Sequence, residues 1–283
     1  MTLNEILMSL EIGFIYGIVA IGIYLTFRVM DFPDLTCDGS FALGAATTGT
    51  LIKWGFNPWL SLLISILTGM VAGILTGLLY ARFKVTNLLA GILIGFMLYS
   101  VNLRIMGGIP NISLINNETI FGQMPLAILI AIGLIICVLI AYLLMTDFGL
   151  SLRSIGQNKR LAQNSGINVN LLTIIGLALS NAIIALSGAL FSQHQGFADV
   201  GSGVGTVIIG LAAVMIGEKI MPYKSILVQI TSCIVGSMIY RLFISFALHS
   251  DLLGFTTSDL NFITGIMIII IMYIPTQKRS SIC

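Results

Sequence analysis

The chain has 283 residues and a formal charge of +2, with 57% of its residues hydrophobic and 8% charged. Soluble domains carry about 25% charged residues, so this composition leaves no adequate polar surface and excludes a soluble fold. The runs 126–145, 225–240 and 262–274 contain no charge at all, and crossing about 30 Å of hydrocarbon takes roughly 20 apolar residues.

The predicted fold is all-α. It is a single transmembrane domain over residues 1–283 with nine membrane helices, two of them short or broken, and an inverted repeat. The first helix is predicted at 8–28, where Gly13 and Gly17 stand four apart. A polar break follows, Asp31-Phe-Pro-Asp-Leu-Thr-Cys-Asp-Gly-Ser40, and it opens a short helix at 39–54. Irregular backbone at membrane depth is tolerated only where protein or a cavity surrounds it. In transporters, discontinuous helices at corresponding places in two halves mark the solute site. Asp34, Thr36, Asp38 and Ser40 are therefore candidate path residues. Capping explains the same residues: Asp38 and Ser40 could cap the second helix, and Pro33 could end the first.

Helices at 59–80 and 86–104 follow, with Gly69, Gly73 and Gly77 on the former and Gly91 and Gly95 on the latter. Small residues four apart let helix backbones approach closely in lipid. Asn102 and Arg104 end the fourth helix and, with Asn111 of the next loop, read as a polar cluster, either an interfacial helix end or an entrance. The fifth helix is predicted at 124–146. After the polar stretch 147–170 comes a sixth at 171–193. A second break, Gly196-Phe-Ala-Asp-Val-Gly-Ser-Gly203, opens a short helix at 204–217. Asp199 and Ser202 there are path candidates or caps. The last two helices are 225–247 and 255–275. Arg241 lies late in the first of these, where it either snorkels to headgroups or meets an anionic solute.

Basic residues favour the cytoplasmic side. With 147–170 placed inside, Arg28, Arg82, Lys84, Arg153, Lys159, Arg160, Lys219, Lys224, Lys278 and Arg279 all fall inside, against Lys53 and Arg104 outside. The amino terminus is then external. The first basic residue is Arg28, so no cleavable signal peptide is expected, and Cys283 forms no prenylation box.

No catalytic constellation is visible. His194 and His249 are isolated near outer loops and read as surface histidines. Cys37, Cys137, Cys233 and Cys283 lack metal spacing, so no metal and no cofactor are expected. No Gly-Lys dipeptide occurs, which rules out a Walker A loop. Any ATP would be used by a partner chain. No nucleic-acid partner is indicated.

The most informative segment is 146–168. Asn158 can cap a short helix at 159–165, Gly166 suits the left-handed residue that ends it, and Ile167 would pack back on it. This segment resembles the coupling-helix motif of ABC importer permeases of the branched-chain amino acid and ribose superfamily. Phe148, Gly149, Arg153, Gly156, Asn158, Gly166 and Ile167 match the motif, while Lys159 stands where that family usually has Pro. The stretches 32–41, 88–93, 102–107 and 210–218 are similar to a poorly characterised subgroup associated with tryptophan- or tyrosine-type uptake.

The resemblance implies a homodimeric permease in the lipid bilayer of a bacterial cytoplasmic membrane. It implies two cytoplasmic ATP-binding subunits, an extracytoplasmic substrate-binding protein and a small polar solute, an amino acid or a related compound. ATPase coupling is expected at Arg153, Gly156, Asn158, Lys159, Arg160 and Gly166, because the insert is the sizeable cytoplasmic feature, and Lys159 and Arg160 would add attraction to an acidic groove. The competing reading is an ion-coupled secondary transporter with Asp34, Asp38 or Asp199 as ion ligands.

Overall fold

In hydrocarbon every backbone N–H and C=O must find a partner within the protein, and a helix supplies those partners along its own length. The chain follows this rule. The structure is a computed structural model and describes residues 3–122, 124–221, 225–249 and 260–273. Helix α1 (Leu3–Ile23) widens at its end into a π-helical turn, Tyr24–Val29. Then come α2 (Thr36–Lys53), α3 (Pro58–Ala81) and α4 (Asn87–Ile105). A short strand β1 (Asn111–Ser113) precedes α5 (Pro125–Met145). Two small helices, α6 (Asp147–Gln157) and α7 (Lys159–Asn164), lead to the long α8 (Val169–Gln195). Strand β2 (Phe197–Asp199) and a tight turn, Val200–Gly203, precede α9 (Thr206–Ile220), α10 (Ile226–His249) and α11 (Leu260–Tyr273).

Local chemistry sets several of these ends. Asn57 caps α3 by accepting from Trp59 N–H at 2.9 Å, with Pro58 in the first turn. Helix α1 starts earlier than the apolar run because Glu5 sits in its first turn, where the helix dipole favours a negative charge.

Seven segments among the described residues are long and apolar enough to cross a membrane: Asn4–Val29, Pro58–Ala81, Asn87–Ile105, Pro125–Met145, Val169–Gln195, Val200–Ile220 and Ile226–Ala247. The other two helices read from the sequence behave differently. Helix α2 has 18 residues but is polar, and α3, α4 and α8 enclose it. Its hydroxyls are used in that packing. Thr36 bonds Thr76 at 2.7 Å, Thr47 bonds Ser65 at 3.0 Å, and Ser40 donates to Asn181 at 2.6 Å. The described part of the last helix, α11, spans 14 residues.

The glycine spacings mark helix crossings. Gly69, Gly73 and Gly77 bring α3 against Asn181, Leu177 and Ile174 of α8, so closely that a Cβ at Gly73 would overlap the Leu177 carbonyl. Gly13 and Gly17 face Met238 and Ile234 of α10, and Gly91 and Gly95 hold α4 on Leu35 of the first break. Serines add interhelical bonds to the α1 backbone: Ser180 to Gly22 O at 2.8 Å, Ser187 to Ile15 O at 2.7 Å and Ser237 to Gly13 O at 2.7 Å.

These contacts also order the directions. Helix α1 is antiparallel to α8 and α10, α2 runs with α8, and α9 runs against α10. Helices α2 and α9 therefore point in opposite directions.

Two features depart from the expectation. The strands β1 and β2 pair antiparallel, with Asn111 opposite Asp199, as a ribbon at one end of an otherwise helical bundle. At the other end, the polar stretch forms two helices rather than one, because Leu152 and Ile155 give α6 a buried face. Gly156 of α6 meets the Val29 carbonyl directly.

Replacing Gly73 by Val should cost about 1–3 kcal/mol through overpacking against α8, read as thermal unfolding of the purified protein. Gly95→Ala should be near neutral, since its Cβ would lie 3.6 Å from the nearest atom, the Leu35 oxygen.

Candidate translocation site

The first break folds into a closed polar knot. The Asp34 carboxylate is fully buried and accepts from Thr36 N–H at 2.9 Å and from Asn181 Nδ2 at 2.8 Å. Asn181 Nδ2 also donates to the Leu177 carbonyl at 3.0 Å, and Asn181 Oδ1 accepts from the Ser40 hydroxyl. Asp34, Thr36 and Ser40 thus tie α2 to α3 and α8 inside the bundle. Asp34, not Asp38 or Ser40, bonds the first turn of α2.

Asp38 serves the other break. Its carboxylate is partly exposed and accepts from the backbone N–H of Gly205 at 3.1 Å and of Val207 at 2.8 Å. It therefore caps α9 across the molecule, a partner invisible to spacing along the chain. Gly205 holds φ +84°, a conformation that L side chains resist, which aims its N–H at Asp38. At Gly203 a Cβ would overlap the Asp38 carbonyl. The amino termini of α2 and α9 meet here.

Asp199 and Ser202 do not cap α9. Asp199 Oδ1 accepts from Gly201 N–H at 2.7 Å, and Ser202 Oγ donates to the Asp199 carbonyl at 2.7 Å, so both pin the tight turn before it. Asn111 Nδ2 donates to Asp199 Oδ2 at 3.3 Å across the ribbon.

The predicted cluster of Asn102, Arg104 and Asn111 does not form. Helix positions two apart do not face each other. Asn102 is buried, donates to Gly39 O at 3.4 Å and leaves Oδ1 without a partner, whereas Arg104 is exposed.

The aromatic cluster gave no sequence signal, and Arg241 and His194 take partners that the sequence did not name. Tyr16 stacks on Phe41 with ring centroids 5.8 Å apart, and Phe191 packs against both at 6.0 and 5.5 Å. Arg241 Cζ lies 4.3 Å from the Tyr16 ring centroid. His194 is not a surface residue. Its side chain is 8% exposed and its Nε2 lies 2.8 Å from Glu11 Oε2. The two residues are far apart in sequence and join only because α1 and α8 pack. The side chain of His249, like Cys283, lies outside the described residues. Cys37, Cys137 and Cys233 are buried, and among the described residues no three His, Cys, Asp or Glu side chains gather as a metal site.

The polar insert has the caps its sequence spells. Asn158 Oδ1 accepts from Arg160 and Leu161 N–H, both at 3.1 Å, although Lys159 replaces the usual Pro. Gly166 takes φ +83°, and Ile167 N–H returns to the Ala162 carbonyl at 3.1 Å. Ile167 then packs with Ile155, Ala162 and Val169.

The basic residues mostly turn inward. Arg153 donates to Gly149 O at 3.4 Å and to Leu144 O at 3.2 Å, closing the end of α5. Lys159 Nζ donates to Tyr80 Oη at 3.1 Å and lies 5.2 Å from that ring's centroid. Tyr80 meets Phe32 edge-on at 5.1 Å. Of the expected pair facing an acidic groove, only Arg160 is exposed. Nearby, Arg28 pairs with Glu218, joining the ends of α1 and α9.

Asp38→Ala should destabilise the protein by about 1–2 kcal/mol, the usual scale of a lost cap. Asp38→Asn, which keeps an acceptor oxygen, should recover most of that loss in the same thermal unfolding measurement.

Comparison with known proteins agrees with this architecture. The family described as branched-chain amino acid transport system / permease component matches residues 5–272. A tyrosine transport system permease protein of Clostridioides difficile is 40% identical over 257 residues, covering 90% of this chain and 86% of the relative. An uncharacterised protein of Rickettsia prowazekii is 34% identical over 276 residues, covering 95% and 96%. An autoinducer 2 import system permease protein of Yersinia enterocolitica is 27% identical over 223 residues, covering 76% and 60%. Among solved structures, PsaBC from Streptococcus pneumoniae in complex with Fab superposes with a TM-score of 0.58 at 13% identity, over 96% of this chain and 92% of that one. That likeness carries the fold alone. With the family matched over nearly its whole length and the bundle, breaks and capped insert in place, this chain belongs to the branched-chain amino acid transport permease family of ABC importers.

Proposed function

We propose that this permease carries an amino acid or a closely related zwitterion across the bacterial cytoplasmic membrane, driven by ATP hydrolysis in two partner subunits. It works as a homodimer fed by an extracytoplasmic binding protein. It makes nine passes with the amino terminus outside, as an inverted repeat in which α2 and α9 correspond. Their opposite directions and meeting amino termini support that symmetry. The sequence similarity to a tyrosine permease supports an amino acid as solute.

One observation carries the mechanism. The insert is a rigid capped knob seated against residues 29–32, at the junction of the first helix and the first break, at two places. Gly156 abuts the Val29 carbonyl, and Lys159 grips Tyr80, whose ring bears on Phe32. A displacement of α6 and α7 by a partner ATPase passes through these contacts to 29–34 and so to Asp34 and the start of α2. Arg153, Gly156, Asn158, Lys159 and Gly166 shape the knob and its seat, and Arg160 faces outward to the partner. The path itself runs beside Asp38, whose partly exposed carboxylate at membrane depth needs water or protein and not lipid. Asn102, Ser202 and Asp199 flank it, and Arg104 stands at its outer end. Asp34, Thr36 and Ser40 hold its wall. Asp34 is fully buried and already accepts two hydrogen bonds, which favours this reading over ion coupling.

The complex reconstituted in proteoliposomes with its ATP-binding subunits and binding protein should accumulate radiolabelled tyrosine only when ATP is enclosed with the ATPase. Lys159→Ala should lower uptake per ATP hydrolysed, with a stability change under about 1 kcal/mol. Gly166→Val should abolish solute-stimulated hydrolysis while sparing membrane insertion. Uptake driven by an ion gradient without ATP would overturn the proposal.

Cysteines placed one at a time at Asn111 and Arg160 should react with an impermeant thiol reagent from opposite faces, Asn111 from outside. Reaction of both from the same face would reject this topology.

A further inference from the structure

In the topology proposed above, Arg241 falls within a candidate membrane span. It is six residues before Ala247, the end of its span, which at 1.5 Å per residue is about 9 Å along the axis. It does not reach back to the surface. Side chains on a helix lean toward that helix's amino terminus. Helices α1 and α10 are antiparallel, so Arg241 leans inward while Tyr16 leans outward, and the two meet. The Arg241 Cβ lies beside Gly13, and Tyr16 stands three residues further along α1 toward the insert end. The guanidinium is thus directed away from the nearest headgroups, the opposite of snorkelling.

Among the described residues this cation has no carboxylate within ion-pair distance. The ion pairs found among the described residues join Arg28 to Glu218 and His194 to Glu11, and neither involves Arg241. Its Nε is buried without an acceptor. A ring face is a weak substitute for the anion that a desolvated guanidinium calls for.

The surroundings define what would fit. Tyr16 and Phe41, both buried, pack with Phe191 as an aromatic cluster, and Phe197 extends it from Phe191 at 6.5 Å. Asp38 lies one turn before Phe41 on α2, and its partner Val207 packs in the same cluster as Tyr16 and Phe41. A cation and a carboxylate therefore border one aromatic patch.

We propose that Arg241, held on the Tyr16 ring, receives the carboxylate of the transported solute. The α-ammonium of the solute then lies on the Asp38 side, and its side chain meets the aromatic cluster at its partly exposed members, Phe191 and Phe197. The assignment rests on the uptake reading above and adds to it a residue that discriminates acid from amine. The guanidinium fork offers a carboxylate two parallel N–H bonds, which lysine cannot match.

The test uses the full-length wild-type permease in uncharged detergent. Phenylglyoxal modification of Arg241 is followed by peptide mass spectrometry with tyrosine, the other standard amino acids, tyramine or phosphatidylglycerol as probes. At an amino-acid concentration twice its Kd, the modification rate should fall about threefold, because only the free fraction reacts. Tyramine, which lacks the carboxylate, should leave the rate unchanged. Equal protection by tyramine, protection by phosphatidylglycerol alone, or no protection by any amino acid would each overturn the proposal. Protection by an amino acid that proteoliposomes never accumulate would keep the Arg241 site and sink the uptake reading. In the transport assay, Arg241→Gln should raise KM about tenfold with kcat little changed, as loss of a ground-state contact requires. Arg241→Lys should recover only part of that loss.

Discussion

Two helices of this protein begin at breaks within the packed bundle, where their first N–H groups need acceptors. An α-helix leaves four such donors at its start, and at membrane depth each unsatisfied one costs several kcal/mol. The solution is reciprocal placement. Asp34 accepts at the start of α2, and Asp38, one turn along α2, accepts from Gly205 and Val207 at the start of α9. The carboxylate is stabilised by the positive end of the α9 dipole while it terminates the donors there. This contact joins the two breaks and goes with the close approach of Gly203 to the Asp38 carbonyl.

The polar core around α2 follows from the same demand. A helix with Thr36, Ser40, Thr47, Thr48 and Thr50 would be a poor neighbour for lipid, and here all five are buried. Glycines on α3 let α3 and α8 close tightly beside it, and small-residue crossings of this kind favour backbone approach in the absence of a hydrophobic drive between helices. The result is a dense, hydrogen-bonded centre of α2, α3 and α8 surrounded by more apolar helices. Such a centre is cross-linked through hydrogen bonds from α2 to both neighbours. In the proposed mechanism this is useful, because a push at Val29 or Tyr80 then displaces the start of α2 as a whole.

Of the candidate site, the insert was the part most legible in the sequence. Its signals are local: Asn158 as cap, Gly166 as the left-handed terminator and Ile167 as the returning apolar residue are read from spacing along one short stretch, and each forms as read. The glycine triplets were legible for the same reason, since periodicity on one helix names a contact face. Partners across the fold were not legible. Nothing near Asp38 in sequence points to Val207, nothing near Glu11 points to His194, and Lys159 shows no sign of Tyr80.

The sequence by itself determined a helical membrane protein with two polar breaks and a capped insert, because hydrophobic run length, cap residues and glycine spacing act within one segment. The tertiary structure alone decided which polar groups satisfy one another. It gave Asp38 to the opposite helix, enclosed α2, separated Asn102 from Arg104 and turned Arg241 inward onto Tyr16. The physical reason is that in a low-dielectric interior a polar side chain must find its partner in space. Which partner it meets depends on the relative direction and depth of packed helices, quantities that no single segment encodes.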